Sequence, residues 1–164
     1  MPTRRIPALV PTLLLLAIGA VIAACGGPSP TNVLLTVTAS PQVNPNSDNQ
    51  PSPTVVRFYD LKSPDTFNSA SFFDLYDDDT KRLGADMLGR KEIEVQPGKT
   101  MHIDSVAAPG TLFLGVLAGF RDLDGALWRA VRPISPGDDN QINVTLQAHS
   151  IAFPKPGSRF LGIF

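Results

Sequence analysis

Residues 112–120 read LFLGVLAGF, a run in which every residue is apolar or glycine. A strand with one face in solvent alternates apolar and polar residues, whereas a strand covered on both faces is apolar throughout. This stretch therefore predicts a strand in the middle of a sheet. The Asp124-Gly125 pair that follows is a strong hairpin signal, and we expect residues 127–134 to return antiparallel to the first strand.

Further strands are predicted on either side of this one. Four segments carry apolar or β-branched residues with strand character: 33–39, 54–61, 92–96 and 142–148. Pro97-Gly98 predicts a turn, and we expect residues 101–106 to form the partner strand of 92–96. Seven or eight short strands joined by hairpin turns predict a mostly β fold, a two-sheet antiparallel β-sandwich.

A short helical insertion is predicted after the second strand. Ser63 is a natural N-cap, Pro64 suits the first helical position, and Asp65 favours the positive end of the helix dipole. We expect one helix over 64–76 and a second over 79–88. The large apolar side chains of the first helix are expected in the core: Phe67, Phe72, Phe73, Leu75 and Tyr76.

The N-terminus has the pattern of an export signal. Two arginines precede residues 13–24, which are all apolar or small, and the run ends in Ile22-Ala23-Ala24-Cys25. Twelve residues are too few to span a bilayer comfortably, but they suit a signal peptide. Cys25 is the only cysteine, so it has no disulfide partner within the chain. We interpret 1–24 as a lipoprotein signal peptide and Cys25 as the lipidated residue. The alternative is an ordinary secretory signal with a chance cysteine.

Composition limits what the mature chain does. Removal of 1–24 leaves 140 residues with a formal net charge of −3, enough for one domain and without the excess of basic residues that a nucleic-acid binder requires. We predict a flexible tether over 25–31 and the sandwich over 32–150. The tail 151–164 stays unassigned.

One loop is unusually long and polar. Residues 41–53 contain four prolines, three asparagines and a single apolar residue, Val43, so we expect the loop not to contribute to the core. Loops of this length in compact domains are usually functional or disordered. We predict partner binding by its central residues: Gln42, Val43, Asn44, Pro45, Asn46, Ser47, Asp48, Asn49 and Gln50. The alternative is a disordered connector, which could also become ordered on binding.

Nothing in the sequence predicts catalysis. The two histidines, His102 and His149, lie far apart, and the metalloprotease, nucleophile-elbow and Walker motifs are missing. The run Asp77-Asp78-Asp79 lacks the glycine and glutamate that a calcium loop would require, so we interpret it as a solvated helix end or loop. We expect no catalytic residue, metal or cofactor, apart from the covalent lipid on Cys25.

Behind the lipid-modification motif, an ordered set of segments resembles a known family. The segments are Ala39-Ser40-Pro41, Asn44-Pro45-Asn46, Pro51-Ser52-Pro53, Arg57-Phe58-Tyr59-Asp60-Leu61, Phe67, Phe72-Phe73-Asp74-Leu75-Tyr76, Leu83-Gly84, Pro97-Gly98, Leu114-Gly115-Val116, Phe120-Arg121-Asp122 and Trp128-Arg129. In this order they resemble the type VI secretion outer-membrane lipoproteins called TssJ, VasD or SciN. The resemblance covers roughly 33–150.

This resemblance implies a fold, a partner and a location. The family has a transthyretin-like β-sandwich with added helices and anchors a membrane complex by binding the periplasmic C-terminal region of TssM, and through it TssL. The loop implicated in that contact corresponds to 41–53. Gly26, rather than aspartate, follows Cys25, so we expect lipid anchoring at the periplasmic face of the outer membrane. The alternative is a periplasmic lipoprotein that binds a small ligand or carbohydrate. One tryptophan and two tyrosines argue weakly against it, so we expect no small-molecule substrate.

Overall fold

The computed structural model describes residues 29–154, so the predicted signal peptide 1–24 and Cys25 lie outside the described residues. Within that range the chain forms eight strands and two α-helices. The strands are β1 (Asn32–Ala39), β2 (Thr54–Leu61), β3 (Met87–Val95), β4 (Thr100–Val106), β5 (Phe113–Ala118), β6 (Arg129–Pro133), β7 (Asp139–Leu146) and β8 (Ile151–Ala152). The helices are α1 (Asp65–Ser69) and α2 (Phe72–Leu83). Among the described residues, no helix is long and apolar enough to cross a membrane.

The strands form two sheets, as the sequence predicts, and each sheet has four strands. The first sheet has the order β4-β1-β7-β8 and the second has the order β3-β2-β5-β6. One pairing differs from an all-antiparallel sandwich, because β1 and β7 run parallel. The helical insertion follows β2, also as predicted.

The apolar strand β5 lies inside the second sheet, between β2 and β6. On one face, Leu114 and Val116 join the core between the two sheets. On the other face, Leu117 joins a second core beneath the helices. Both faces of β5 are therefore covered, which explains why its sequence does not alternate. Val144 and Leu146, in the predicted strand 142–148, are also fully buried.

The predicted pairing of 92–96 with 101–106 is wrong. β3 pairs with β2 in the second sheet, and β4 pairs with β1 in the first. The Pro97-Gly98 turn therefore crosses between sheets. The Gly98 N–H donates to the carbonyl of Ser40, which fixes the turn against the end of β1. The sequence pattern indicates where each strand lies but does not indicate with which other strand it pairs.

The helices also differ from the prediction. α1 is a single turn, and Ser71 starts α2 through a capping box with Asp74. The backbone of α2 leaves helical geometry at Asp78, and the predicted second helix over 79–88 ends early because β3 begins at Met87. Phe67 and Leu75 are fully buried, as expected, and Phe72 and Tyr76 are half-buried. Phe73 is 62% exposed, so its predicted core position is wrong.

The domain extends slightly beyond the predicted boundaries of 32–150. The carbonyl of Thr31 accepts from the Ala107 N–H at 2.9 Å, and its hydroxyl accepts from the Gly137 N–H at 2.8 Å, so this tether residue is already part of the domain. At the other terminus, Ile151 and Ala152 pair with β7 as β8. Pro154 has no N–H to continue this ladder. Residues 155–164 of the unassigned tail lie outside the described residues.

The connections gather at two opposite ends of the sandwich. The chain enters the domain at what we call the anchor end, formed by 29–31, 107–112 and 134–138. The other end, which we call the loop end, holds the connections 40–53, 96–99, 119–128 and 147–150. β1 joins the two ends with eight residues, which span roughly 26 Å at the usual rise of a strand.

Candidate partner-binding site

The base of the polar loop belongs to the core, contrary to the prediction for 41–53. Val43 is fully buried and packs in the cluster between the two sheets. Its N–H donates to the carbonyl of Ser40 at 3.1 Å, and its own carbonyl accepts from the Ser52 N–H at 3.1 Å. Because Val43 is the apolar residue of this segment, its burial draws both sides of the loop onto the sandwich. Val43 is therefore a structural residue rather than part of a binding surface.

Asn44 ties the loop to its neighbours and is only 3% exposed. Its side-chain amide donates to the carbonyl of Pro53 at 2.9 Å, and its side-chain oxygen accepts from the Arg121 N–H at 2.8 Å. Its backbone N–H donates to the carbonyl of Ala148 at 3.0 Å. Asn44 has a φ of 52°, a left-handed conformation that asparagine tolerates better than most residues. Asn44 therefore links three segments of the loop end: 40–53, 119–128 and 147–150.

The tip of the loop closes on itself through Asn46. The Asn46 side-chain oxygen accepts from the N–H groups of Asp48, at 3.0 Å, and Gln50, at 2.8 Å. The Asn46 N–H donates to the carbonyl of Gln50, and the Asn49 N–H donates to the carbonyl of Asn46, both at 2.9 Å. Such side-chain-to-backbone bonds are typical of Asx turns. The tip is an internally hydrogen-bonded turn, which favours the functional loop over the disordered connector.

The tip presents polar groups beside a shallow cleft. Ser47, Asp48, Asn49 and Gln50 are exposed, whereas Pro45 and Asn46 are half-buried. The cleft has a volume of about 630 Å³, and its walls come from three connections of the loop end: Pro45, Asn46, Ser47, Asn49, Arg121, Asp122 and His149. Arg121 and Asp122 carry opposite charges, so the cleft has little net charge. It suits a protein segment held by directional hydrogen bonds.

Three cleft residues were not among the predicted site residues. Arg121 and Asp122 lie in the β5–β6 connection, and His149 lies in the turn between β7 and β8. These three residues lie next to the tip because the order of strands in the sheets brings their connections to the same end, and the sequence pattern does not predict that order. The one available signal was that Phe120-Arg121-Asp122 stands among the segments that carry the family resemblance.

The histidines and aspartates considered earlier lie at separate places in the fold. Across 29–154, no group of three or more histidine, cysteine, aspartate or glutamate residues is placed to hold a metal ion. His102, on the edge strand β4, hydrogen-bonds Thr36, whereas His149 precedes β8 at the opposite edge of the same sheet. Within the aspartate run, Asp79 is 3% exposed and ion-paired, so its interpretation as a solvated residue is wrong, whereas Asp77 and Asp78 are exposed.

Comparison with known proteins gives the family. A family model described as type VI secretion lipoprotein, VasD, EvfM, TssJ, VC_A0113 matches residues 31–149. No curated protein sequence gives a significant match. The solved structure of the T6SS lipoprotein TssJ1 from Pseudomonas aeruginosa is 33% identical, with a TM-score of 0.73 over 76% of this chain and 95% of that chain.

Two other solved structures are similar. Lip from Serratia marcescens, a membrane-bound component of the type VI secretion system, is 26% identical, with a TM-score of 0.72 over 77% of this chain and 97% of that one. A chain of a type VI membrane complex is 25% identical, with a TM-score of 0.67 over 75% of this chain and 97% of that one. Because the family model matches residues 31–149, well over half of the chain, this chain belongs to the type VI secretion lipoprotein family that includes TssJ and VasD.

Proposed function

We propose that this protein tethers a type VI secretion membrane complex to the outer membrane. Lipid on Cys25 holds it at the periplasmic face, and its loop end binds the periplasmic C-terminal region of TssM, and through it TssL. The observation that carries this proposal is the self-closed polar tip 45–50, which stands at the end of the sandwich opposite the chain's entry. Membership of the secretion lipoprotein family, and likeness to a chain of a type VI membrane complex, support it.

The fold separates anchoring from binding. The anchor end follows directly after the tether, and β1 places the loop end roughly 26 Å further from it, at about 3.3 Å per residue. A partner that approaches from the periplasm meets the polar tip and the cleft before it meets the membrane. The sandwich acts as a rigid spacer between the lipid and the partner.

The tip is organised before binding. Its backbone N–H groups are already held by Asn46, so fewer conformations are lost when a partner docks than for a flexible loop. The tip carries one formal charge, on Asp48, and the neighbouring Arg121 and Asp122 offset one another. Hydrogen-bond geometry rather than electrostatic steering therefore sets specificity, and we expect the affinity to change little with salt.

Replacement of Ser47-Asp48-Asn49 by Gly-Ser-Gly tests the contact without touching the buried base of the loop. We expect at least tenfold weaker binding to the TssM periplasmic domain, about 1.4 kcal/mol, because the exposed polar groups that meet the partner are removed. Thermal stability should stay nearly unchanged, since these three residues are exposed. Binding is measured by titration calorimetry, and stability by circular dichroism.

A matched control exchanges Ser135-Pro136 for Gly-Ser. These residues are also exposed, but they lie at the anchor end, and the bond from the Ser135 N–H to the Asn140 side chain is kept by glycine. The control should bind TssM like the unmodified protein. If the tip variant is folded and binds as tightly as the control, the tip is only a connector, and the contact has to be sought on α1 and α2.

A further inference from the structure

Several large apolar side chains are exposed at the anchor end. Val106 at the end of β4 is 63% exposed, Leu112 just before β5 is 45% exposed, and Leu88 near the start of β3 is 36% exposed. We call these three residues the anchor-end patch. Large exposed apolar groups that gather in one place mark contact surfaces more often than isolated ones do.

The three residues lie along one connection, 107–112. Val106 is the register partner of Asn32, the first residue of β1. The connection 107–112 then crosses from the first sheet to the second, where the Leu112 N–H donates to the carbonyl of Leu61. Leu88 lies beside the same connection. Its Cδ1 is 3.7 Å from the position where a side chain would begin at Gly110. The patch therefore borders the connection that contacts the chain where it enters the domain, since the Ala107 N–H donates to the carbonyl of Thr31.

We propose that the anchor-end patch lies on the lipid bilayer itself, an inference that rests on the proposed lipid at Cys25. Six residues, 26–31, separate Cys25 from β1. Even fully extended, at about 3.3–3.6 Å per residue, the tether reaches roughly 25 Å. A patch held this close to the bilayer docks intramolecularly, so a weak apolar contact suffices.

The surrounding charges limit how deeply the patch enters. Asp104 is the register partner of Leu34, beside the patch, and Asp138 and Asp139 lie at the same end of the sandwich. These carboxylates stay at the headgroup level, while the apolar side chains reach the boundary with the acyl chains. This arrangement orients the sandwich on the membrane and directs the loop end away from it. A tether alone would leave the domain free to rotate.

Site-specific spin labels test the inference in the full-length lipidated protein. Cys25 is the only cysteine, and its thiol carries the proposed lipid, so a cysteine introduced elsewhere can be labelled alone. Val106→Cys reports on the patch. Leu127→Cys is the matched control, because Leu127 is also apolar and 68% exposed but lies at the loop end. Each protein is reconstituted into phosphatidylethanolamine–phosphatidylglycerol vesicles.

We expect the label at 106 to be more accessible to oxygen than to a water-soluble nickel chelate, with a ratio at least about twofold above that at 127, since interfacial apolar groups lie about 5–10 Å into the boundary region. Equal ratios at the two positions overturn the inference. If the protein does not float with the vesicles, or if Cys25→Ser floats as well, the proposed lipid anchor is wrong, which is a separate failure.

Truncation after Pro154 tests whether residues 155–164, rather than the bilayer, cover the patch. If that truncation makes the label at 106 more accessible to the chelate in vesicles, residues 155–164 cover the patch and the inference fails.

Discussion

Asp79→Ala is expected to lower the free energy of unfolding by about 2–3 kcal/mol, because it removes the buried carboxylate that the Tyr59 hydroxyl, Arg57 and Arg90 face. The Asp79 side chain is 4% exposed and accepts from the Arg90 guanidinium at 2.7 Å and the Tyr59 hydroxyl at 3.1 Å. Arg57 lies 3.8 Å away and also donates to the carbonyl of Tyr76 in α2 at 2.7 Å. The cluster joins the helical insertion to the second sheet.

The cluster also predicts a dependence of stability on pH. Burial favours the neutral acid, but the hydrogen bonds from Arg90 and Tyr59 and the nearby positive charges outweigh it, so the pKa of Asp79 is lowered. A group whose pKa is depressed in the folded state stabilises the fold above its unfolded pKa, about 3.9 for aspartate. This contribution is lost as the pH falls through the folded pKa. Burial raises the pKa of Tyr59 to about 12, so the hydroxyl remains a donor at neutral pH.

Urea unfolding of Asp79→Ala, measured between neutral pH and pH 3, checks both expectations. The difference from the unmodified protein should be largest at neutral pH and shrink in acid. Asp77→Ala is the matched control, since Asp77 lies two residues away but is exposed, and its replacement should change stability by no more than about 0.5 kcal/mol. Equal stabilities of the two variants at neutral pH would show that the cluster contributes nothing net to folding.

The strands were predictable because their residues obey a local rule. The segment 33–39 falls within β1, since a half-buried strand imposes a period of two on its own sequence, and 54–61 matches β2, which β-branched and aromatic residues mark. β5 was recognisable for the complementary reason that both of its faces are covered. β6 returns antiparallel to β5 as predicted, but the connection 119–128 is longer than the tight hairpin that Asp124-Gly125 signals, and of this pair only Gly125 has a positive φ, of 73°.

The errors arise where distant residues decide the outcome. The pairing of β3 with β2 rather than with β4 depends on the whole sheet order. The burial of Asp79 depends on Arg90, which is eleven positions away on a strand of the second sheet. The loop was recognisable by its composition, but its division into a buried base and an exposed tip was not. That division depends on Asn44 contacting Arg121, 77 positions further along the chain.

Asn44→Ala is the second substitution for which we expect a large effect, about 3 kcal/mol or more of lost stability. Loss of the Asn44 side-chain amide leaves the Pro53 carbonyl and the Arg121 N–H without their partner. Each unpaired group costs about 1–3 kcal/mol where it stays away from water. The φ of 52° adds a further cost, because alanine in the left-handed region is less favourable by about 1–2 kcal/mol.

Two companion variants separate these contributions. Asn44→Gly relieves the conformational cost but not the lost hydrogen bonds, so it should recover only about 1–2 kcal/mol relative to Asn44→Ala. Asn46→Ala is the matched control for the loop, since it removes an asparagine whose bonds stay within the half-buried and exposed tip. It should change stability by about 1 kcal/mol at most while it weakens TssM binding. Guanidinium unfolding and calorimetric titration with the TssM periplasmic domain measure the two properties on the same samples.

The two asparagines thus have different expected signatures, although they stand two positions apart in one polar segment. Asn44 holds the β1–β2 connection against the Arg121 and Ala148 connections, so its loss should reduce stability and binding together. Asn46 shapes only the tip, so its loss should reduce binding alone. If Asn44→Ala unfolds at the same denaturant concentration as the unmodified protein, the loop end is not fixed by this residue. The rigidity on which the proposed binding mode depends would then have to come from Val43 and the closed tip.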